Sequence, residues 1–241
     1  MKTGLTLEQL AAEITRQQSA KEDYVVNTGN LRLESYGPEL TLRVLDSDGA
    51  DRIEPLEIGD IAHRQIGTHL SIPAKYYERM RSEDPGLLAH NVNTWLERTP
   101  AQRMIRVLDG KARAYLSNRY LRMDNYSIAS AVLPILAEIP DVRIESCQIT
   151  DSRMYIKAVN PRLQEDVTPG DTVQAGVVIS NSEVGLGSVN IQPLIYRLVC
   201  SNGMVVNDAQ TRRNHVGRVN EASENYQLYS EKTLEADDKA F

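Results

Sequence analysis

The spacing of apolar residues changes twice along this chain, and that order restricts the fold more than any single motif does. Over residues 24–45 apolar and polar residues alternate, which is typical of strands. Residues 56–98 instead repeat at helical spacing, in three pieces, the second and third entered at Pro73 and Pro85. Strand patterns return after residue 100. Strands and helices segregated in this way favour an α+β fold with a mostly antiparallel, curved sheet and helices packed on one side.

Two local signals fix elements outside the helical stretch. Thr6 with Gln9 three residues later forms a capping box, which predicts a first helix directly after it. Asp109-Gly110 separates two strand-like runs, 104–108 and 113–117, and is a strong signal for a two-residue hairpin turn.

Beyond the hairpin one further helix and a series of strands are expected. Asp124 suits the N-cap of a helix that ends before Pro140. The expected strands cover 142–149, 154–159, 173–179 and 188–200. The alternation in the last of these slips at Pro193, which predicts a bulge or an edge position, because proline cannot donate to a sheet ladder.

These patterns divide the sequence into three regions. Residues 1–100 hold the first helix, a small β segment and the helical stretch, residues 101–220 hold a β-rich core with one helix, and residues 221–241 read as a polar helix. That last helix would stop at Ala240-Phe241 without a termination signal, so we expect a truncated segment of a longer polypeptide.

Composition indicates an ordinary folded protein that stays inside the cell. Of the 241 residues 41% are hydrophobic and 25% are charged. No apolar run approaches the roughly 20 residues that a membrane span needs, and the N-terminus lacks a signal sequence, so we expect a cytoplasmic protein without a membrane partner. The two cysteines, Cys147 and Cys200, stand apart and are interpreted as buried free thiols.

A search for catalytic chemistry finds no constellation. The four histidines lack the helical spacing of a metal clamp, and the chain contains no GxSxG, Walker or HExxH sequence. We therefore expect no catalytic, cofactor-binding or metal-binding residues, and no cofactor. Asn181, Ser182 and Glu183 could form a polar binding loop, but these residue types also bond their own backbone in turns.

The clearest electrostatic anomaly lies between residues 98 and 122. This segment contains seven basic residues and only one acidic residue, Asp109, and Tyr115 and Tyr120 lie among the basic residues. Phosphate contacts beside aromatic rings are what proteins that bind single strands require. The candidate nucleic-acid-binding residues are Arg103, Arg106, Lys111, Arg113, Arg119, Tyr120 and Arg122, with Arg212 and Arg213 from a second basic group.

Two other interpretations of these arginines stay open. Alternating arginines on a hairpin can be its solvated face, neutralised by acidic helices elsewhere in the chain, whose net charge is −6. They can also pair with an acidic surface of a neighbouring subunit, since charge complementarity sets register in assemblies.

Three ordered motifs resemble one family. The segments 116–120 (LSNRY), 175–185 (AGVVISNSEVG) and 197–203 (RLVCSNG) resemble the phage and plasmid family catalogued as domain of unknown function 932, with similarity from about residue 60 to the end. The resemblance implies a setting in mobile elements, and no activity is established for the family. Members commonly continue beyond a segment like 229–241, which agrees with truncation.

The expected architecture is also loosely similar to that of the Rad52-like single-strand annealing proteins, which form rings and need no nucleotide or metal. We therefore expect a non-enzymatic, homo-oligomeric protein that binds or anneals single-stranded DNA, with Tyr120 stacking a base. The alternative is a non-catalytic protein-interaction module, such as a host-takeover or counter-defence factor, whose acidic surface binds a host protein.

Overall fold

The computed structural model describes residues 4–46, 48–168, 171–197, 203–205 and 211–213. Gln17–Tyr120 form one compact unit, called here the inserted unit. Met1–Arg16 and Leu121–Phe241 form the other, called here the discontinuous unit. These units divide the chain at different points from the sequence regions 1–100, 101–220 and 221–241, and those regions stay a prediction.

The inserted unit consists of one six-stranded sheet and three helices. Its strands are β1 (Lys21–Asn27), β2 (Leu31–Tyr36), β3 (Glu39–Val44), β4 (Leu56–Ile58), β5 (Gln102–Leu108) and β6 (Lys111–Ser117). They lie in the order β1-β5-β6-β4-β3-β2, and every pair is antiparallel except β4 with β6. The sheet is thus antiparallel-rich, as the sequence predicted.

This sheet is strongly curled, and its connections show why. β1 and β2 are its two edges, and a flat sheet of six strands would hold them about 24 Å apart. Only one 3₁₀ turn, Thr28–Asn30, joins the end of β1 to the start of β2. Four peptide steps span about 15 Å at most, so the two edges must curve towards each other.

Two of the three helices of the inserted unit begin where the proline signals predicted, whereas the first begins at Asp60 and not at residue 56. They are α2 (Asp60–His69), α3 (Ala74–Glu83) and α4 (Pro85–Arg98). Pro73 is the N-cap of α3, and Pro85 is the first residue of α4, where the Asp84 side chain accepts a hydrogen bond from the Leu87 N–H. α2 packs on β6, α4 packs on β2, and α3 packs against the other two helices; the core of the unit includes Leu33, Ile66 and Leu88. The prediction of three helices is confirmed, but it missed β4 because a three-residue strand carries too short a pattern.

The discontinuous unit holds the remaining elements. The helices are α1 (Leu7–Ala20), whose first ten residues belong to this unit, and α5 (Asn125–Glu138). The strands are β7 (Arg143–Ile149), β8 (Met154–Thr168), β9 (Asp171–Asn181), β10 (Val189–Arg197), β11 (Gly203–Val205) and β12 (Thr211–Arg213). The sheet order is β11-β10-β9-β8-β7, all antiparallel, and β12 pairs with β10.

The start of the chain is tied into this second sheet. The Leu5 N–H donates to the Cys147 carbonyl of β7 at 2.8 Å, and Gly4 lies so close to Cys147 that a Cβ would fall 2.3 Å from the same oxygen. The predicted capping box follows, because the Thr6 N–H donates to Gln9 Oε1 at 2.9 Å and the Gln9 N–H donates to Thr6 Oγ1 at 3.2 Å. Leu10 and Ile14 of α1 are buried with Ile128 of α5.

Several further predictions have outcomes. Cys147 is a buried free thiol, as predicted, whereas Cys200 and the predicted helix 221–241 lie outside the described residues. Of the two positions predicted for Pro193, a bulge or a strand edge, the bulge is not found on the side of β9, where Pro193 pairs with Val177 in an unbroken register. On the other side of β10, the described partners are β12 up to Ile191 and β11 from Leu194, so Pro193 lies between the two pairings.

Candidate nucleic-acid interface

The β5–β6 hairpin forms as predicted and sorts the basic residues by position. Asp109 and Gly110 both have positive φ, 53° and 74°, as the two-residue turn requires. At the other end, called here the open end, Arg103 pairs with Ser117. Lys111 therefore lies at the turn, whereas Arg103 and Arg119 lie at or just beyond the open end.

Arg106 points away from solvent. It lies directly opposite Asp23 of β1, and its Nε and Nη2 donate to the two carboxylate oxygens at 2.9 and 3.0 Å. The Arg106 side chain is 0% exposed and that of Asp23 is 6% exposed. A guanidinium fixed in this way is not placed to hold a phosphate.

Lys111 is exposed but neutralised locally. Its Nζ lies 2.6 Å from Glu57 Oε1 of β4, the residue that faces it across the parallel pair. Neither Lys111 nor Arg106 therefore adds an unbalanced positive charge to the hairpin.

Arg103 differs from both of these residues. It is half-buried on the helix-facing side of β5, and its guanidinium carbon lies 5.8 Å from the centre of the Tyr115 ring, within the range of a cation–π contact. Among the residues that the structure describes, none forms an ion pair with Arg103, and its buried Nε has no hydrogen-bond partner. A partly buried guanidinium without a counter-charge is costly, and an external anion would relieve that cost.

His69 at the end of α2 completes the surroundings of Arg103. Its Nδ1 lies 2.9 Å from the Tyr115 hydroxyl, and the two rings are in tilted contact. Burial, aided by the positive charge of Arg103, lowers the pKa of His69 to about 4. The imidazole is therefore neutral at pH 7 and leaves Arg103 as the cation of this cluster.

Arg113 occupies an irregular position in β6. The register slips between Arg106 and Val107, so Arg113 is the extra residue of a bulge. The strand is held from α2, where Gln65 Oε1 accepts a hydrogen bond from the Tyr115 N–H at 2.7 Å. Neither Gln65 nor His69 was singled out from the sequence, although both face β6 at helical spacing on α2.

The turn after β6 exposes Arg119 and buries Tyr120. Ser117 organises it, since its carbonyl accepts from the Tyr120 N–H at 3.0 Å and its Oγ accepts from the Arg119 N–H at 3.2 Å. Tyr120 is 7% exposed, and Tyr115 is 3% exposed. Neither ring is therefore available for a base, so the stacking role predicted for Tyr120 does not fit this conformation.

The remaining candidate residues belong to the discontinuous unit. Arg122 is half-buried just before α5. The backbones of Arg212 and Arg213 lie in β12, paired with Asn190 and Val189, and their side chains are outside the description.

The polar residues 181–183 serve the fold of the discontinuous unit. Asn125 is the first residue of α5, and its backbone N–H donates a hydrogen bond to Glu183 Oε1 at 2.6 Å. Asn181 Nδ2 donates to the Met123 carbonyl and to Asn125 Oδ1, both at 2.9 Å. Asp124 has the N-cap position that the sequence predicted, but Glu183 supplies the capping bond. The second of the three family motifs thus fastens the start of α5 to the end of β9.

An apolar groove lies on another part of this unit. It has a volume of about 210 Å³ and is lined by residues of α5, of the segment that follows α5, and of β8 and β9, among them Leu136, Ile139 and Leu163. Leu163 is 60% exposed and Val167, further along β8, is 64% exposed.

The described residues contain no group of three or more His, Cys, Asp or Glu side chains placed to hold a metal ion. In the same part of the chain, no helix combines the length and apolar character needed to cross a membrane.

Comparison with known proteins gives one result. A family model described as Domain of unknown function (DUF932) matches residues 114–239, which are 126 of the 241 residues. The family resemblance carried by the three sequence motifs is thereby confirmed, although the match begins at residue 114 and not near residue 60 as predicted. No curated protein and no solved structure matches the chain.

Proposed function

Because the chain belongs to the DUF932 family, whose description assigns no activity, we propose from its own residues that it is a nucleic-acid-binding protein of phages or plasmids. It binds single-stranded DNA through phosphate contacts at the open end of the β5–β6 hairpin and catalyses no reaction. Arg103 and Arg119 supply those contacts.

One observation carries this proposal. Arg103 has a half-buried guanidinium over an aromatic ring, and no described carboxylate neutralises it. Arginines that serve only the fold, such as Arg106, have a carboxylate in place. A phosphate would provide Arg103 with the missing counter-charge. Ser117 is the cross-strand partner of Arg103, and exposed Arg119 follows Ser117 by two residues, so Arg119 would extend the contact along the DNA backbone.

The salt dependence of binding to a fluorescent oligothymidylate tests the proposal. Each phosphate contact to a single strand contributes about 0.7 to the slope of log K against log salt concentration. The double variant Arg103→Gln/Arg119→Gln should therefore lower the slope by about 1.4 and weaken binding on the order of tenfold at 0.15 M salt.

A matched control separates contact from net charge. Lys75→Gln/Arg79→Gln removes two positive charges from α3, where both residues are exposed. It should bind like the wild type. Equal losses in both double variants, or none in the first, would overturn the assignment of Arg103 and Arg119.

Annealing in a Rad52-like ring is the finer form of the proposal. Its measurement is the mass of the assembly, by light scattering, with and without single-stranded DNA. We expect a homo-oligomer that grows on DNA, whereas a monomer or dimer indifferent to DNA would exclude annealing.

The second candidate function is a protein-interaction module acting on a host protein, and the apolar groove beside Leu163 favours it. Exposed leucine and valine around a groove are typical of surfaces that bind a protein. A host protein captured from nuclease-treated lysate by the wild type, but not by Leu163→Asp, would support this function. Capture that survives the substitution would refute the groove as its site.

A further inference from the structure

We propose that Trp95 and Arg98 form a nucleobase-stacking platform beside the phosphate contacts, so that the site selects unpaired bases. This inference rests on the proposed function and deepens it, because stacking explains why a single strand rather than a duplex would bind.

Trp95 and Arg98 have the geometry of such a platform. Trp95 is 41% exposed in the last turn of α4, and the Arg98 guanidinium lies over its ring, 5.3 Å from the ring centre. Arg98 is exposed, and no ion pair to it is formed within the described ranges. An indole face takes any base, and the adjacent guanidinium can hold a phosphate of the same nucleotide.

The backbone places this platform at the same corner of the inserted unit as Arg103. The Thr28 hydroxyl donates to the Leu96 carbonyl of α4 at 3.4 Å and accepts from the Ala101 N–H at 2.9 Å. The Thr28 hydroxyl oxygen therefore links the last turn of α4 to the residue that precedes β5. Arg103 follows Ala101 by two residues, so its Cα lies within about 15 Å of the Leu96 carbonyl, a distance that a few nucleotides span at about 3.4 Å each.

Three other aromatic residues of the inserted unit fit this role less well. Tyr115 and Tyr120 are buried. Tyr36 is 62% exposed, but its hydroxyl donates to Glu34 Oε2 at 2.6 Å, and that carboxylate would repel a phosphate. Tyr36 therefore supplies a matched control, an exposed aromatic ring without an adjacent free cation.

Intrinsic tryptophan fluorescence measures this contact directly, because Trp95 is the only tryptophan of the sequence. Oligothymidylate should quench the tryptophan fluorescence as it binds. An abasic strand of the same length, which offers phosphates without bases, should bind between about 5- and 150-fold more weakly and leave the fluorescence unchanged. A duplex should not quench it.

Variants complete the test. Trp95→Ala should bind oligothymidylate more weakly by the same factor of about 5 to 150, and should bind the abasic strand like the wild type. Trp95→Phe should retain most of the wild-type affinity for oligothymidylate. Tyr36→Ala should behave like the wild type towards both strands.

The outcomes distinguish this inference from the proposed function. Tight oligothymidylate binding without quenching, unaffected by Trp95→Ala but lost in Arg103→Gln/Arg119→Gln, would overturn the platform and leave the proposed function intact. Failure of both strands to bind the wild-type protein would overturn both.

Discussion

Replacement of Asp23 by asparagine would show how much the inserted unit depends on its buried ion pair. Asp23 and Arg106 face each other on β1 and β5, with both carboxylate oxygens engaged and side chains 6% and 0% exposed. Asparagine keeps the shape but removes the counter-charge and leaves a cation in the interior. Breaking a buried pair in this way costs about 3–5 kcal/mol of the free energy of unfolding.

Urea unfolding of the whole chain at pH 7, followed by far-UV circular dichroism, measures this loss. With a denaturant dependence of about 1–3 kcal/mol per M, the midpoint should fall by roughly 1 M or more. Asp23→Leu/Arg106→Met, which replaces the pair by apolar side chains, should recover most of the stability, because two charges no longer need to be desolvated.

Lys111→Gln is the matched control, since it removes a salt bridge whose side chains are 46% and 68% exposed. It should cost at most about 1 kcal/mol. A loss below about 1 kcal/mol for Asp23→Asn, equal to that of the control, would refute the view that this pair holds β1 to β5.

Three further predictions concern stability. Glu183→Ala should cost about 1–3 kcal/mol in thermal unfolding, since it leaves the Asn125 N–H at the start of α5 without its acceptor; an unchanged midpoint would contradict the capping role. Burial lowers the pKa of His63 to about 4 from 6.5, so the unfolded chain takes up the proton first. Through His63 alone the free energy of unfolding should therefore fall by about 3 kcal/mol as the pH drops from 6.5 to 4. His63→Asn should remove that part of the fall and leave the part that comes from His69. Gly176→Ala would place a Cβ 2.3 Å from the Ala158 carbonyl oxygen, and should lower the free energy of urea unfolding by about 1–3 kcal/mol or prevent folding; wild-type stability would show that β8 and β9 can separate there.

Local signals predicted the local elements well. The Asp109-Gly110 turn needs only two residues with positive φ, and Pro73 and Pro85 begin helices because proline fits the first turn. These signals act over a few residues, so the sequence alone reveals them.

The chemistry of the hairpin could not be predicted in the same way. Arg106 and its partner Asp23 are 83 positions apart, and only the pairing of β1 with β5 brings them together. Met104 shares a face of β5 with Arg106, and its apolar side chain was a hint that this face is buried. The search by charge also passed over Trp95, because a single aromatic residue on a helix is most often part of a core.

The bridge between Leu5 and Cys147 has a consequence for synthesis on the ribosome. Leu10 and Ile14 of α1 pack in a core with α5, β7 and later strands, so their partners are translated more than a hundred residues after them. At about 5–20 residues per second, the apolar side of α1 stays uncovered for several seconds or more, while the residues of the inserted unit are already complete.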